Sequence, residues 1–94
     1  MQRFTIVYRP FPAELGGMIH GMTTGAGGRL TILIDSAQDE KTQRHALRHE
    51  LAHVALDHLT DTTRSLQQLE AEADEYAARM TDSEFADLMK GAIV

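Results

Sequence analysis

The sequence predicts an α+β domain, a small and mostly antiparallel sheet of about three strands packed by one central helix and two helices after it. Three observations carry this. Short segments with a two-residue apolar period fill the first third of the chain. A stretch from Ser36 to Leu59 then contains no Gly or Pro and is patterned for a helix. Two Ser/Thr-x-x-Gln/Glu signatures, at Ser65–Gln68 and Thr81–Glu84, open two further helical stretches.

In order, residues 3–8 alternate Phe4, Ile6 and Tyr8 with Arg3, Thr5 and Val7, a strand pattern rich in β-formers. Pro10 and Pro12 end it, because neither can donate to a ladder. Residues 13–17 form a turn into a second, weaker strand over Met18–Thr23. Thr24–Gly28 is a flexible hairpin connection; no Gly-Lys-Ser/Thr follows it and no helix opens there, which argues against the alternative of a phosphate-cradling loop. Arg29–Asp35 is the strongest strand, with Leu30, Ile32 and Ile34 on one side and Thr31 and Leu33 on the other. Ser36 and Asp39 both qualify as N-caps for the central helix, which runs to about His58 or Leu59. After the polar linker Thr60–Arg64, a helix over 66–80 carries the apolar stripe Leu66, Leu69, Ala73, Tyr76, Ala77 and Met80. The last short helix presents Phe85, Leu88 and Met89, and Ala92–Val94 either docks on the core or frays.

Ninety-four residues fit a single domain over 1–94, large enough to bury roughly 60–65% of the unfolded surface. The absence of cysteine excludes disulfides and thiolate metal sites. No signal core and no membrane-length apolar run is visible, so a cytoplasmic location is expected. Acidic residues outnumber basic ones 14 to 9 with no Lys/Arg cluster, which argues against direct nucleic-acid binding.

The chemistry concentrates in His49-Glu50-Leu51-Ala52-His53, an HExxH pattern. On a helix the two histidines lie one turn apart on one side, close enough to share a metal ion such as zinc. Glu50 beside them is placed as a general base. At about 100° per residue, Leu47, Leu51, Val54 and His58 share one side of the helix, while His45, His49 and His53 lie nearly opposite. A metal shared by His58 with the HExxH pair is therefore not expected, and His58 is read as favourable to the dipole at the helix C-terminus. A third ligand comes from Glu70-Ala71-Glu72-Ala73-Asp74-Glu75. Glu70 lies closest to the apolar stripe, with Glu72 as runner-up. Asp74, one turn after Glu70, is placed to accept the free ring N–H of a ligand histidine. His45 reads as an exposed polar residue, Tyr76 as core, Tyr8 as a further oxyanion donor candidate, and His20 is unplaced.

With these motifs the chain resembles the gluzincin metallopeptidases, and most closely their ImmA/IrrE-type subgroup. There a strand and polar turn precede the HExxH helix, and the next helix reads E-x-x-A-(N/D)-x-aromatic-A-A, as Glu70–Ala78 does here. The resemblance covers about residues 29–80. It implies zinc held by His49, His53 and Glu70, Glu50 as general base and Asp74 behind the ligands. It also implies hydrolysis of a protein or peptide, with helix-turn-helix repressors as the partner class. The expected cleft is bordered by strand 29–35, to whose edge an extended substrate could add. The competing expectation is a non-catalytic zinc-binding module in a toxin–antitoxin or repressor complex.

Overall fold

The computed structural model describes residues 3–25, 28–60 and 63–93. Its strands are β1 (Phe4–Arg9), β2 (Gly21–Thr24) and β3 (Leu30–Asp35). Its helices are α1 (Ala13–Gly16), α2 (Glu40–Ala55), α3 (Leu66–Arg79) and α4 (Asp82–Met89), with a 3-10 turn at His58–Thr60. The expected α+β architecture, one sheet with the central helix and two C-terminal helices, is what the chain forms.

The sheet itself is mixed, where a mostly antiparallel one was expected. Its order is β1-β3-β2. β2 pairs antiparallel with β3, Gly21 opposite Ile34 and Thr24 opposite Thr31. β1 pairs parallel with β3, from Phe4 opposite Leu30 to Arg9 opposite Asp35. Two successive reversals, through α1 and then between β2 and β3, return β3 to the direction of β1. β3 takes the centre, paired on both edges, with Ile32 and Ile34 fully buried in the core. The carboxylate of Asp35, buried at the end of β3, fixes the turn that follows. It accepts the N–H groups of Phe11 and Ala37 and the Gln38 amide, each at 3.0 Å, and these bonds hold its pKa below the ordinary carboxylate value.

Of the two N-cap candidates for α2, Asp39 is the cap: its Oδ1 accepts Thr42 N–H at 2.7 Å. α2 lays Leu47, Leu51 and Val54 onto Phe4, Ile32 and Ile34, and Met80 closes this core. Both later capping boxes form, Ser65 with Gln68 and Thr81 with Glu84. Arg48 ties α2 to the start of α4 by donating to Met80 O at 3.0 Å and Asp82 Oδ1 at 2.8 Å. The C-terminal segment docks: Ile93 N–H bonds Phe4 O at 2.7 Å, and Phe4 N–H bonds Gly91 O at 3.0 Å. No helix among the described residues is long and apolar enough to cross a membrane.

α2 stops at Ala55, short of the expected His58 or Leu59. Asp57 adopts φ 56°, the left-handed region that Asp tolerates better than most residues, and turns the chain out of the helix. The wheel position assigned to His58 does not hold, because His58 is not on the helix.

Leu51 has no exposed surface and sits where α2 meets the sheet. Leu51→Ala is expected to destabilise the domain by about 2–5 kcal/mol in denaturant titration, the range for a buried leucine truncated to alanine. A loss well under 1 kcal/mol would show that α2 does not pack as described.

Candidate metal centre

α2 has two working sides. Its leucine stripe faces the core, and His49 and His53 emerge one turn apart toward α3, with side chains 17% and 13% exposed. Glu70 comes from the first turns of α3 to meet them. Its Oε2 lies 2.9 Å from His49 Nε2, and its Oε1 lies 3.1 Å from His53 Nε2. The two Nε2 atoms are 3.1 Å apart. Two imidazole nitrogens and a carboxylate thus converge on one point.

Tautomers decide what that point can hold. Asp74 Oδ1 lies 2.8 Å from His49 Nδ1, so the His49 proton belongs on Nδ1 and its Nε2 presents a lone pair. In neutral His49 that lone pair faces the oxygens of Glu70, an acceptor against acceptors. A cation among His49, His53 and Glu70 removes the conflict, and two nitrogens with one carboxylate oxygen make a three-protein-ligand set suited to an open metal site. The pKa of His53 is held down chiefly by burial, against the pull of Glu70, which favours the neutral imidazole a ligand must be.

Glu50 points to the other flank of the histidines, toward β2. His49, Glu50 and His53 offer ligand atoms within 4.8 Å of one another and could hold a metal ion between them. Glu50 is 6% exposed and accepts the Thr23 hydroxyl on Oε1 at 2.7 Å. Burial raises its pKa, with Thr23 and His49 opposing and Glu70 adding to the rise. Gly21 lets β2 come this close. A Cβ there would stand 3.2 Å from Glu50 Cγ and 3.3 Å from Ile34 Cδ1, closer than side chains normally pack.

These groups line one side of a cleft of ≈ 600 Å³. The strand at its edge is β2, not the expected 29–35 segment. β3 is hydrogen-bonded on both edges and has none to offer, whereas β2 is the edge strand on the cleft side. Met18, Leu59 and Leu66 add an exposed apolar rim. His20 and His45 line the cleft; Tyr8 and Tyr76 do not. Tyr76 instead packs against the core. Glu72, the runner-up ligand, turns away to pair with Arg64.

Two residues of the site escaped the sequence. Thr23 carries no local signal, since only strand pairing brings it to Glu50. His58 was placed opposite the histidine stripe, yet it is buried with its Nδ1 2.9 Å from His53 Nδ1. The one available signal was Asp57, a residue able to end the helix before His58.

Comparison with known families matches residues 2–90 to peptidase M78, the IrrE N-terminal-like domain. The chain belongs to this family. No curated protein and no solved structure matches it. As an M78 domain the chain falls in a peptidase family, and the HExxH residues that could hold a metal lie inside the matched region.

Two outcomes check this geometry. Thr23→Val removes the hydroxyl that stabilises the Glu50 carboxylate, so Glu50 should titrate at higher pH in carbon-13 NMR of the metal-free protein. An unchanged or lower midpoint would mean that the Thr23 bond is not made. Asp74→Asn should weaken metal binding by about 10–100-fold in a chelator competition with the melting temperature nearly unchanged. Equal affinity would make Asp74 a solvated helix residue.

Proposed function

We propose that this M78 domain is a zinc metallo-endopeptidase whose zinc is held by His49, His53 and Glu70 and whose general base is Glu50. The observation that carries it is the division of labour among the acidic side chains. Glu70 converges with both Nε2 atoms, while Glu50 is buried beside them at the cleft with one oxygen already engaged by Thr23. A purely structural metal site needs the first carboxylate and has no use for the second.

Zinc bound there would polarise a peptide carbonyl and acidify a water molecule. The chain's own residues do the rest. Thr23 occupies Oε1 of Glu50, which lines the cleft, and leaves Oε2 to take a proton from the attacking water. As the water oxygen bonds the carbonyl carbon and the C–N bond breaks, the same carboxyl group returns the proton to the leaving nitrogen. Burial raises the Glu50 pKa toward working pH, where one group can both accept and release a proton. Substrate would lie extended along the edge of β2, taking main-chain hydrogen bonds there, with apolar side chains against Met18 and Leu66. Within a cytoplasmic setting, the substrate class favoured by the family resemblance is a helix-turn-helix repressor.

Glu50→Gln keeps the size of the side chain and the acceptor for Thr23 but cannot take a proton. It is expected to fold and bind zinc like the wild type, and to cleave a candidate repressor about 10²–10⁴-fold more slowly. Zinc content, thermal melting and cleavage are measured side by side. Equal cleavage excludes Glu50 as the base. If neither form cleaves while both bind the same partner tightly, the domain is a zinc-binding interaction module.

A further inference from the structure

Among the described residues, the outer nitrogen of His53 meets no carboxylate of the kind Asp74 provides for His49; it meets another histidine. His53 Nδ1 and His58 Nδ1 face each other at 2.9 Å, a gap that holds one hydrogen. One ring must donate and the other accept. The outer nitrogen of His58 decides which. Among the described residues, His58 Nε2 is buried without a hydrogen-bond partner of ordinary geometry, and Glu72 Oε2 lies against it at 3.5 Å. Glu72 is in turn ion-paired with Arg64, so its carboxylate stands between that guanidinium and His58.

A proton on His58 Nε2 meets this negative charge favourably, whereas a lone pair there would face an anion in a buried place. The neutral His58 tautomer is therefore Nε2–H, with its Nδ1 lone pair accepting from His53 Nδ1–H. That leaves the lone pair of His53 on Nε2, directed at His49 Nε2 and Glu70. The opposite direction would put a proton on His53 Nε2, in the place of the metal, and a lone pair of His58 against Glu72.

We propose that Glu72 and His58 form a relay, a charge contact at His58 Nε2 followed by a hydrogen bond from His53 to His58 Nδ1, that orients His53 and fixes its metal-binding tautomer, making His58 a positioning residue for the centre. This rests on the zinc site proposed above. The two ligand histidines are then supported alike, His49 by Asp74 directly and His53 by Glu72 through one intervening imidazole. Three parts of the chain meet to build the second support: the C-terminal half of α2, the 3-10 turn created by Asp57, and α3.

The test compares zinc affinity by chelator competition in wild type, His58→Leu, His58→Asn and His49→Ala, with thermal melting of each. Nitrogen-15 NMR of the imidazoles accompanies it in the wild type. His58→Leu removes the acceptor and should bind zinc about 10–100-fold more weakly. His58→Asn places an amide oxygen near the position of Nδ1 and should recover most of that loss, which a merely space-filling role would not predict. The spectra should show the wild-type His58 proton on Nε2 and the His53 proton on Nδ1. His58→Leu binding zinc as tightly as wild type overturns the relay, as does a proton on His58 Nδ1. Loss of zinc in His58→Leu as complete as in His49→Ala would make His58 a ligand and also overturn it. A wild-type chain that takes up no zinc sinks the metal site and the relay together, whereas normal wild-type uptake with an indifferent His58→Leu sinks the relay alone.

Discussion

The seating of α2 on the sheet governs the rest of the molecule. Leu47, Leu51 and Val54 bury against Phe4, Ile32 and Ile34, and this fixes the rotation of the helix about its own axis. A helix turned by one residue would swing its side chains by about 100°. Leu51 would leave the core and the histidines would no longer meet α3. The apolar side of α2 thus sets the direction of its polar side, and the aim of His49 and His53 at Glu70 depends on the packing of leucines behind them. The same rotation carries Glu50 toward β2, where its burial is tolerable because the Thr23 hydroxyl satisfies one oxygen.

Around the histidine pair the controlling problem is proton placement. Two Nε2 atoms 3.1 Å apart beside a carboxylate make a strongly polar point at the surface of a small core. Asp74 stands on the far nitrogen of His49, and His58 with Glu72 behind it stands on the far nitrogen of His53. Each partner draws a ring proton outward and leaves a lone pair inward. Most of these partners come from α3, so the docking of α3 on α2 brings the Glu70 carboxylate and the outer supports in one step. The polar network and the helix packing are therefore coupled, and a change that tilts α3 would disturb both histidines together.

The cleft follows from which strand is left at the edge. β3, with Ile32 and Ile34 in the core, is held between β1 and β2, and β2 is left beside the HExxH helix. Gly21 allows that approach, Thr23 uses it, and the apolar rim of Met18, Leu59 and Leu66 gives the opening its character. Short as it is, β2 supplies an edge and a hydrogen-bond donor to the candidate base.

What the sequence determined by itself was set by interactions within a few residues. The caps at Ser65 and Thr81, the leucine stripe of α2, the four-residue spacing of His49 and His53 and the inward side of Glu70 all depend on helix geometry, which repeats identically wherever a helix forms. The order of the strands, the parallel pairing of β1 with β3, the meeting of Thr23 with Glu50 and the place of β2 at the cleft were decided only by the tertiary structure. They join segments far apart in the chain, and the choice among pairings rests on total burial rather than on any local pattern. His58 lies between the two cases. Its neighbours describe a continuing helix, but a single left-handed residue at Asp57 breaks the periodicity and sends the imidazole to His53 instead of away from it. A wheel extrapolates one conformation, and one backbone angle outside it is enough to reverse where every later side chain points.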